Sequence, residues 1–324
     1  TTSCTDALEM AAILLNIKHG DEVILPSYTF VSTALAFYRQ GAVLRFIDSR
    51  PDNPCMDESA IEELINPKTK AIVPVHYSGI ACDMYKIRDI AAKYRLFVVE
   101  DAAHAIADYY YGIPLGTIGD LGCFSFHSSK AIHCGEGGFL IINNENFLKR
   151  AEIIWEKGTN KLQFKRGETD YYEWCDTGSS FLPSELNAAF LKAQLDDFAR
   201  IISKRKRIWD LYDSEIKILN EKGHIRLPNI PDYATQNGHS YFFMMNDKKQ
   251  LFNFLNFMKN SGIECFSHYF PLHKSKFYSR LHDGRQLRNS IMYANTLVRL
   301  PLYEALEEKQ VFYITDHVKK FFKK

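Results

Sequence analysis

Nowhere in its 324 residues does this chain run apolar for anything near the ~20 residues that a membrane helix needs. Its first residues also lack the basic and apolar regions of a signal peptide. A soluble, cytoplasmic protein is therefore expected, with no membrane partner. An excess of one charge is missing too: 40 Lys and Arg stand against 39 Asp and Glu, a net charge of +1. Nothing in that balance marks a nucleic-acid surface, and small molecules are the expected ligands. The seven cysteines form no C-x-x-C pair and no metal-type spacing. An odd set scattered through apolar segments suits reduced thiols, so neither a disulfide framework nor a metal site is expected. The Gly-x-Gly-x-x-Gly turn that a dinucleotide-binding dehydrogenase carries after an early strand is missing as well. There is no internal repeat and no low-complexity segment.

The chain does contain a hydrophobic period that keeps switching. Helical runs at Asp6–Ile17, Val31–Arg39, Glu58–Ile65 and Met84–Tyr94 each precede a short apolar run: "EVILPS", "AVLRFID", "KAIVPVHY" and "LFVVED". This alternation predicts an α/β domain with a largely parallel sheet, and strands without polar alternation imply helices on both faces. Two further strands are expected at Gly122–Phe126 and Phe139–Ile142. A helix near Phe147–Glu156 and a long helical region from about Ser184 to Glu221 follow. The remainder reads as a small α+β domain, with strands near "HIRLP", "HSYFFMM", "IECFSHYF" and "LVRLPL" and helices near Lys249–Lys259, Gln286–Thr296 and Glu307–Phe321. The expected division is 1–200 for the large domain and 201–324 for the small one.

Ligands of such sheets gather at the carboxyl ends of the strands, and polar residues cluster there: Ser27, Tyr28 and Thr29; His76 and Tyr77; Glu100 and Asp101. Lys130 sits in the polar turn between two apolar runs, in "GCFSFHSSKAIHCGEGGFLII". It is either a solvated loop lysine or an amine that desolvation turns into a nucleophile. Asp101, ending "FVVED", is either a helix cap or an anion that holds a cationic ligand group. Together, an acid and a lysine at strand ends are what pyridoxal 5′-phosphate (PLP) requires: the lysine binds the cofactor covalently and the acid pairs with its pyridine nitrogen. A helix start in "TTSCTDAL" offers a phosphate site, or a plain cap with Ser3 or Thr5 as N-cap. Phe30 is placed either to stack on the ring or to pack in the core, and Ser125 could add a hydroxyl near the phosphate.

The ordered set "TSCTDALEMA", "PSYTFVSTA", "VPVHYSGIACDM", "VVEDAAHA", "GTIGDLGCFSFHSSK", "EKGTN", "SELNAAFLKAQL", "HYFPLH" and "RLPLY" resembles the DegT/StrS-type nucleotide-sugar aminotransferases. The resemblance runs from residue 1 to near the C-terminus. It implies the aspartate-aminotransferase-like fold type I of PLP-dependent transferases, a homodimer with shared active sites, and two half-reactions. In these an amino group passes from L-glutamate to a keto sugar nucleotide. By resemblance Lys130 holds PLP and shuttles the proton, Asp101 pairs with the ring nitrogen, and His104 lies beside the ring. Thr5, Asp6 and Ser125 hold the phosphate and Phe30 stacks. Substrate contacts come from Lys157 and Asn160 of "KGTN", from His239 and from His268, while Ser179–Phe181 act across the dimer interface. The elements "AEIIWEKGTN" and "DTGSSFL" point within the family to a dTDP-4-keto-6-deoxyhexose as acceptor. The family pattern usually has Lys-Asn where this chain has Lys130-Ala131, followed by His133 and Cys134. The resemblance also implies that the family's N-terminal segment lies outside this chain. Two rivals are a sugar dehydratase, which would carry histidine in place of Lys130, and a non-catalytic nucleotide-sugar or cofactor-binding module.

Overall fold

The computed structural model describes residues 1–323. Five strands, β1 (Glu22–Pro26), β2 (Val43–Ile47), β3 (Thr69–Ile72), β4 (Phe97–Asp101) and β7 (Leu121–Ser125), run parallel. With β8 (Gly138–Ile142), antiparallel to β7 at the edge, they form a six-stranded sheet of order β2-β1-β3-β4-β7-β8. The short hairpin β5 (Tyr109–Tyr110) and β6 (Ile113–Pro114) lies outside it. Alternate strand residues enter two cores. Ile24, Ile72 and Val98 meet α3 (Met84–Tyr94) on one face. Val23, Leu25, Phe46, Val73, Val99 and Leu121 meet α1 (Cys4–Leu14), α2 (Val31–Arg39) and α4 (Leu148–Trp155) on the other. Both faces being covered is why these strands read as unbroken apolar runs.

The chain continues through α5 (Lys161–Lys165), α6 (Glu185–Asp196) and α7 (Phe198–Glu221). Then come β9 (Tyr241–Met244), α8 (Lys248–Asn260), α9 (Arg288–Thr296), β10 (Leu297–Leu300) and α10 (Glu308–Phe322). β9 and β10 pair antiparallel, and α7, α8 and α10 pack on them through Tyr212, Phe243, Phe254, Val298 and Val311.

Three expectations change. The run Glu58–Ile65 is two 3₁₀ turns, Glu58–Ala60 and Glu62–Leu64, not an α-helix. Ile61 and Leu64 are both buried, and a three-residue spacing falls on one side of a 3₁₀ turn, while Asn66-Pro67 leaves no room for more. The long helix breaks at Asp197, whose backbone (φ −105°, ψ 16°) separates α6 from α7. "HIRLP" and "IECFSHYF" contribute only single bridges, Arg226 to Met244 and Phe266 to Arg299, so the small sheet has two strands.

The parallel strands all end on one side, and β8, being antiparallel, begins there. Gly138 at its start exchanges hydrogen bonds with Thr1, N–H to O at 3.0 Å and the terminal amine to Gly138 O at 2.9 Å. A Cβ on Gly138 would fall 2.2 Å from the Ser3 backbone. Glycine here lets the start of α1 lie directly on the strand ends.

Candidate active site

Strand β4 delivers two adjacent carboxylates to opposite sides, as strand geometry demands. Glu100 is fully buried and accepts from His76 Nε2 at 3.0 Å and from the N–H groups of Gly116, Ile118 and Gly119 at 2.8, 2.7 and 2.6 Å. Burial opposes its charge, but the His76 bond and these backbone donors hold its carboxyl below the ordinary value. With its acceptor sites spent inside the protein, Glu100 is structural.

Asp101 turns the other way, to the cavity wall. It is 5 % exposed; one oxygen accepts from Thr33 Oγ1 at 2.7 Å and the other from Ala103 N–H at 3.1 Å. The Ala103 bond is an Asx turn that starts the following loop, so the turn-forming and ligand-facing readings of Asp101 are compatible. Thr33 in α2 is itself steadied by Thr29 Oγ1 at 3.0 Å. Both donors favour the ionised carboxylate.

Lys130 lies in the turn after β7, its N–H bonded to His127 O at 2.9 Å, with a half-buried side chain on the same wall. Loss of water around the amine lowers its pKa, the neighbouring Cys4 and Asp101 push it back up, and the Arg299 cation lowers it. The net fall increases the fraction of neutral amine, the nucleophilic form.

The third component is the start of α1. Ser3 is the N-cap, its Oγ accepting from Asp6 N–H at 3.0 Å. That leaves the Cys4 and Thr5 N–H groups without an intrahelical carbonyl at the positive end of the helix dipole. Thr2 to Thr5, Ser125 and Lys130 line one cavity of about 1310 Å³, together with Phe30, Asp101, His104, His239, His268, Tyr269 and Arg299. An amine, a fixed anion and a helix N-terminus thus face one space.

The DegT/DnrJ/EryC1/StrS aminotransferase family model matches residues 1–319. The chain belongs to this family. It is 30 % identical over 327 residues to GDP-perosamine synthase of Escherichia coli O157:H7, covering 98 % of this chain and 84 % of that protein. The structure of DesV from S. venezuelae in complex with a ketimine intermediate superposes with a TM-score of 0.90 at 27 % identity, covering 100 % of this chain and 84 % of that one. The PLP form of Spr1654 from Streptococcus pneumoniae, described as a sugar aminotransferase, gives a TM-score of 0.88 at 26 % identity, covering 99 % and 85 %. A PMP form of the same protein gives 0.89, also at 26 % identity, covering 99 % and 86 %. This chain is accordingly a PLP-dependent sugar aminotransferase of fold type I, acting between an amino donor and a keto-sugar nucleotide.

The donor set suits that cofactor without geometry beyond what is present: Lys130 for the aldehyde carbon, Asp101 for the ring nitrogen and the α1 start for the phosphate. Phe30 is 56 % exposed, which rules out a core role, and its ring lies 6.3 Å from that of Tyr269. His104 accepts from Ser78 N–H through Nδ1 at 3.1 Å, which assigns its proton to Nε2, and stacks on His239 at 4.1 Å. Burial first, then the Lys130 charge, holds both imidazoles well below the usual histidine pKa. His268, stacked on Tyr269 at 4.0 Å, is lowered to about 3 by burial and by Arg299.

Other sequence candidates lie elsewhere in this family member. Asp6 is in the first turn of α1 and is not on the cavity wall. Lys157 and Asn160 are not on it either. Lys157 Nζ pairs with Glu156 at 3.1 Å, and Asn160 is buried with its amide spent on Tyr171 O and Glu173 N–H, both at 2.9 Å. Phe181 packs into the core beneath α1, and its carbonyl accepts from Thr2 N–H at 3.1 Å. Sequence reasoning overlooked Cys4, Tyr269 and Arg299. Only Arg299 left a signal, a charge inside the apolar strand "LVRLPL".

Proposed function

We propose that this aminotransferase moves the amino group of L-glutamate to ring carbon 4 of a dTDP-linked 4-keto-6-deoxyhexose, as a homodimer with shared sites. The observation carrying the catalytic part is the meeting of Lys130, Asp101 and the α1 start around one cavity. Lys130 holds PLP through Nζ and, once displaced, takes a proton from the donor carbon and returns it. Asp101 stays ionised against the ring nitrogen. The Cys4 and Thr5 N–H groups, with the hydroxyls of Thr5 and Ser125, receive the phosphate, and Asp6 supports them through its bond to the Ser3 cap. Phe30 covers one face of the ring, and His104 lies at its edge. When bound, the cofactor supplies the electron sink that lets a carbon acid be deprotonated near neutral pH.

His239 and His268 contact the sugar nucleotide from this subunit, while Lys157 and Asn160 serve the site of the second subunit. Support for a dimer comes from α6, none of whose residues is buried and whose Leu186 and Phe190 are 83 % and 52 % exposed. Sedimentation should show a dimer for the wild type and a monomer for Leu186→Glu/Phe190→Glu; a double variant that still dimerises would remove α6 from the interface. We take 1–200 and 201–324 as the two domains, with α7 passing from one to the other.

The acceptor reading rests on "EKGTN", "DTGSSFL" and "HYFPLH"; a GDP-linked sugar is the second reading, favoured by the similarity to GDP-perosamine synthase. The test is competition among dTDP-4-keto-6-deoxyglucose, its 3-keto isomer, and UDP- and GDP-linked 4-keto sugars with glutamate. The dTDP 4-keto compound should lead in kcat/KM by about 10-fold or more, since unpaired polar groups penalise the wrong ligand. A lead for the GDP compound would select the second reading.

A further inference from the structure

Strand β10 carries one charged side chain between apolar neighbours. Val298 and Leu300 enter the core with α7, α8 and α10, whereas Arg299 lines the cavity that holds Lys130. Its backbone is held firmly: paired with Phe242 in β9, it also donates to Phe266 O at 2.7 Å and accepts from Phe266 N–H at 3.2 Å. The same bridge anchors the segment carrying His268 and Tyr269.

The guanidinium is held by nothing comparable. It is half-buried, its buried Nε has no hydrogen-bond partner, and among the described residues no acidic side chain pairs with it. A buried donor left unmade is costly, and arginine cannot relieve the cost by losing its proton. The cavity offers no free anion. Asp101 is engaged by Thr33 and Ala103, Glu136 faces His127 at the exposed mouth, and Glu264 is exposed. Arg299 also depresses the basicity of Lys130, His104, His239 and His268, which puts its charge within electrostatic reach of all four.

We propose that Arg299 receives the α-carboxylate of the amino-acid donor and so fixes the donor as an α-amino acid. The proposal rests on the aminotransferase reading of Lys130. An α-carboxylate is bonded to the carbon whose proton Lys130 moves, so its receptor must stand beside that amine. The diphosphate of a sugar nucleotide is separated from the keto carbon by the sugar ring and the anomeric oxygen, and belongs further out. The planar guanidinium fork also matches a carboxylate in bidentate fashion better than the point charge of a lysine would.

The experiment compares wild-type holoenzyme with Arg299→Gln and Arg299→Lys, each checked for far-UV circular dichroism and for cofactor fixed on Lys130 by borohydride. The ligand is α-methylglutamate, which has no α-proton to lose, and its binding is followed through the cofactor absorbance. Losing a charge-assisted pair should weaken it about 100-fold in Arg299→Gln, with partial recovery in Arg299→Lys. Calorimetric affinities for dTDP and GDP should stay at wild-type values. Unchanged α-methylglutamate binding would overturn the proposal. So would weakened nucleotide binding with normal α-methylglutamate binding, which would assign the guanidinium to the diphosphate. A wild-type protein that takes up no cofactor at Lys130 would overturn the aminotransferase reading itself, and the proposal with it.

Discussion

Lys130→Ala should fold normally and lose on the order of 10⁴-fold in the glutamate half-reaction, because one amine serves both as cofactor anchor and as proton carrier. Folding is expected to survive because the turn is set by backbone bonds. Lys130 N–H to His127 O and Cys134 N–H to Phe126 O are both 2.9 Å, and Ser128 N–H to Gly135 O is 2.8 Å. The side chain makes no ion pair whose loss would leave a buried charge alone. Single-turnover kinetics with glutamate, starting from protein loaded with excess PLP, measures the loss. A variant within 10-fold of wild type would mean that another base moves the proton.

Asp101→Asn is the second large effect, expected at about 10²- to 10⁴-fold in kcat with the melting temperature nearly unchanged. Asparagine keeps an acceptor for Ala103 N–H, and its amide can turn an N–H toward the Thr33 hydroxyl, which then accepts. The packing around β4 therefore persists while the negative charge is gone. Loss of an ionic partner for the ring nitrogen lowers the chemical step and leaves the phosphate contacts at α1 intact. The signature is a fall in kcat with little change in cofactor affinity. Near-normal turnover would reduce Asp101 to the former of its Asx turn.

The sheet was readable because a change of hydrophobic period is local information. "LFVVED" and "GCFSF" declare strands by composition, and their ends carry Asp101 and the approach to Lys130. Tertiary context decided what the pattern could not. Glu58–Ile65 has a helical apolar spacing that two 3₁₀ turns satisfy equally, and Asp197 breaks a helix that no proline or glycine interrupts. Arg299 is some 170 positions after Lys130 in the chain, and only the antiparallel pairing of β9 and β10 turns it to the same cavity. Lys157 and Asn160 were attractive as a polar cluster in "KGTN", yet their partners lie within their own loop, at Glu156, Tyr171 and Glu173.

The central claim is that Lys130 is the amine that carries the cofactor. Borohydride reduction of the PLP-loaded protein, followed by proteolysis and mass spectrometry, tests it most directly. The account predicts one phosphopyridoxyl group, on the peptide containing "FHSSKAIH" and at Lys130; a label on any other lysine, or an unlabelled Lys130 in a PLP-saturated sample, would contradict it.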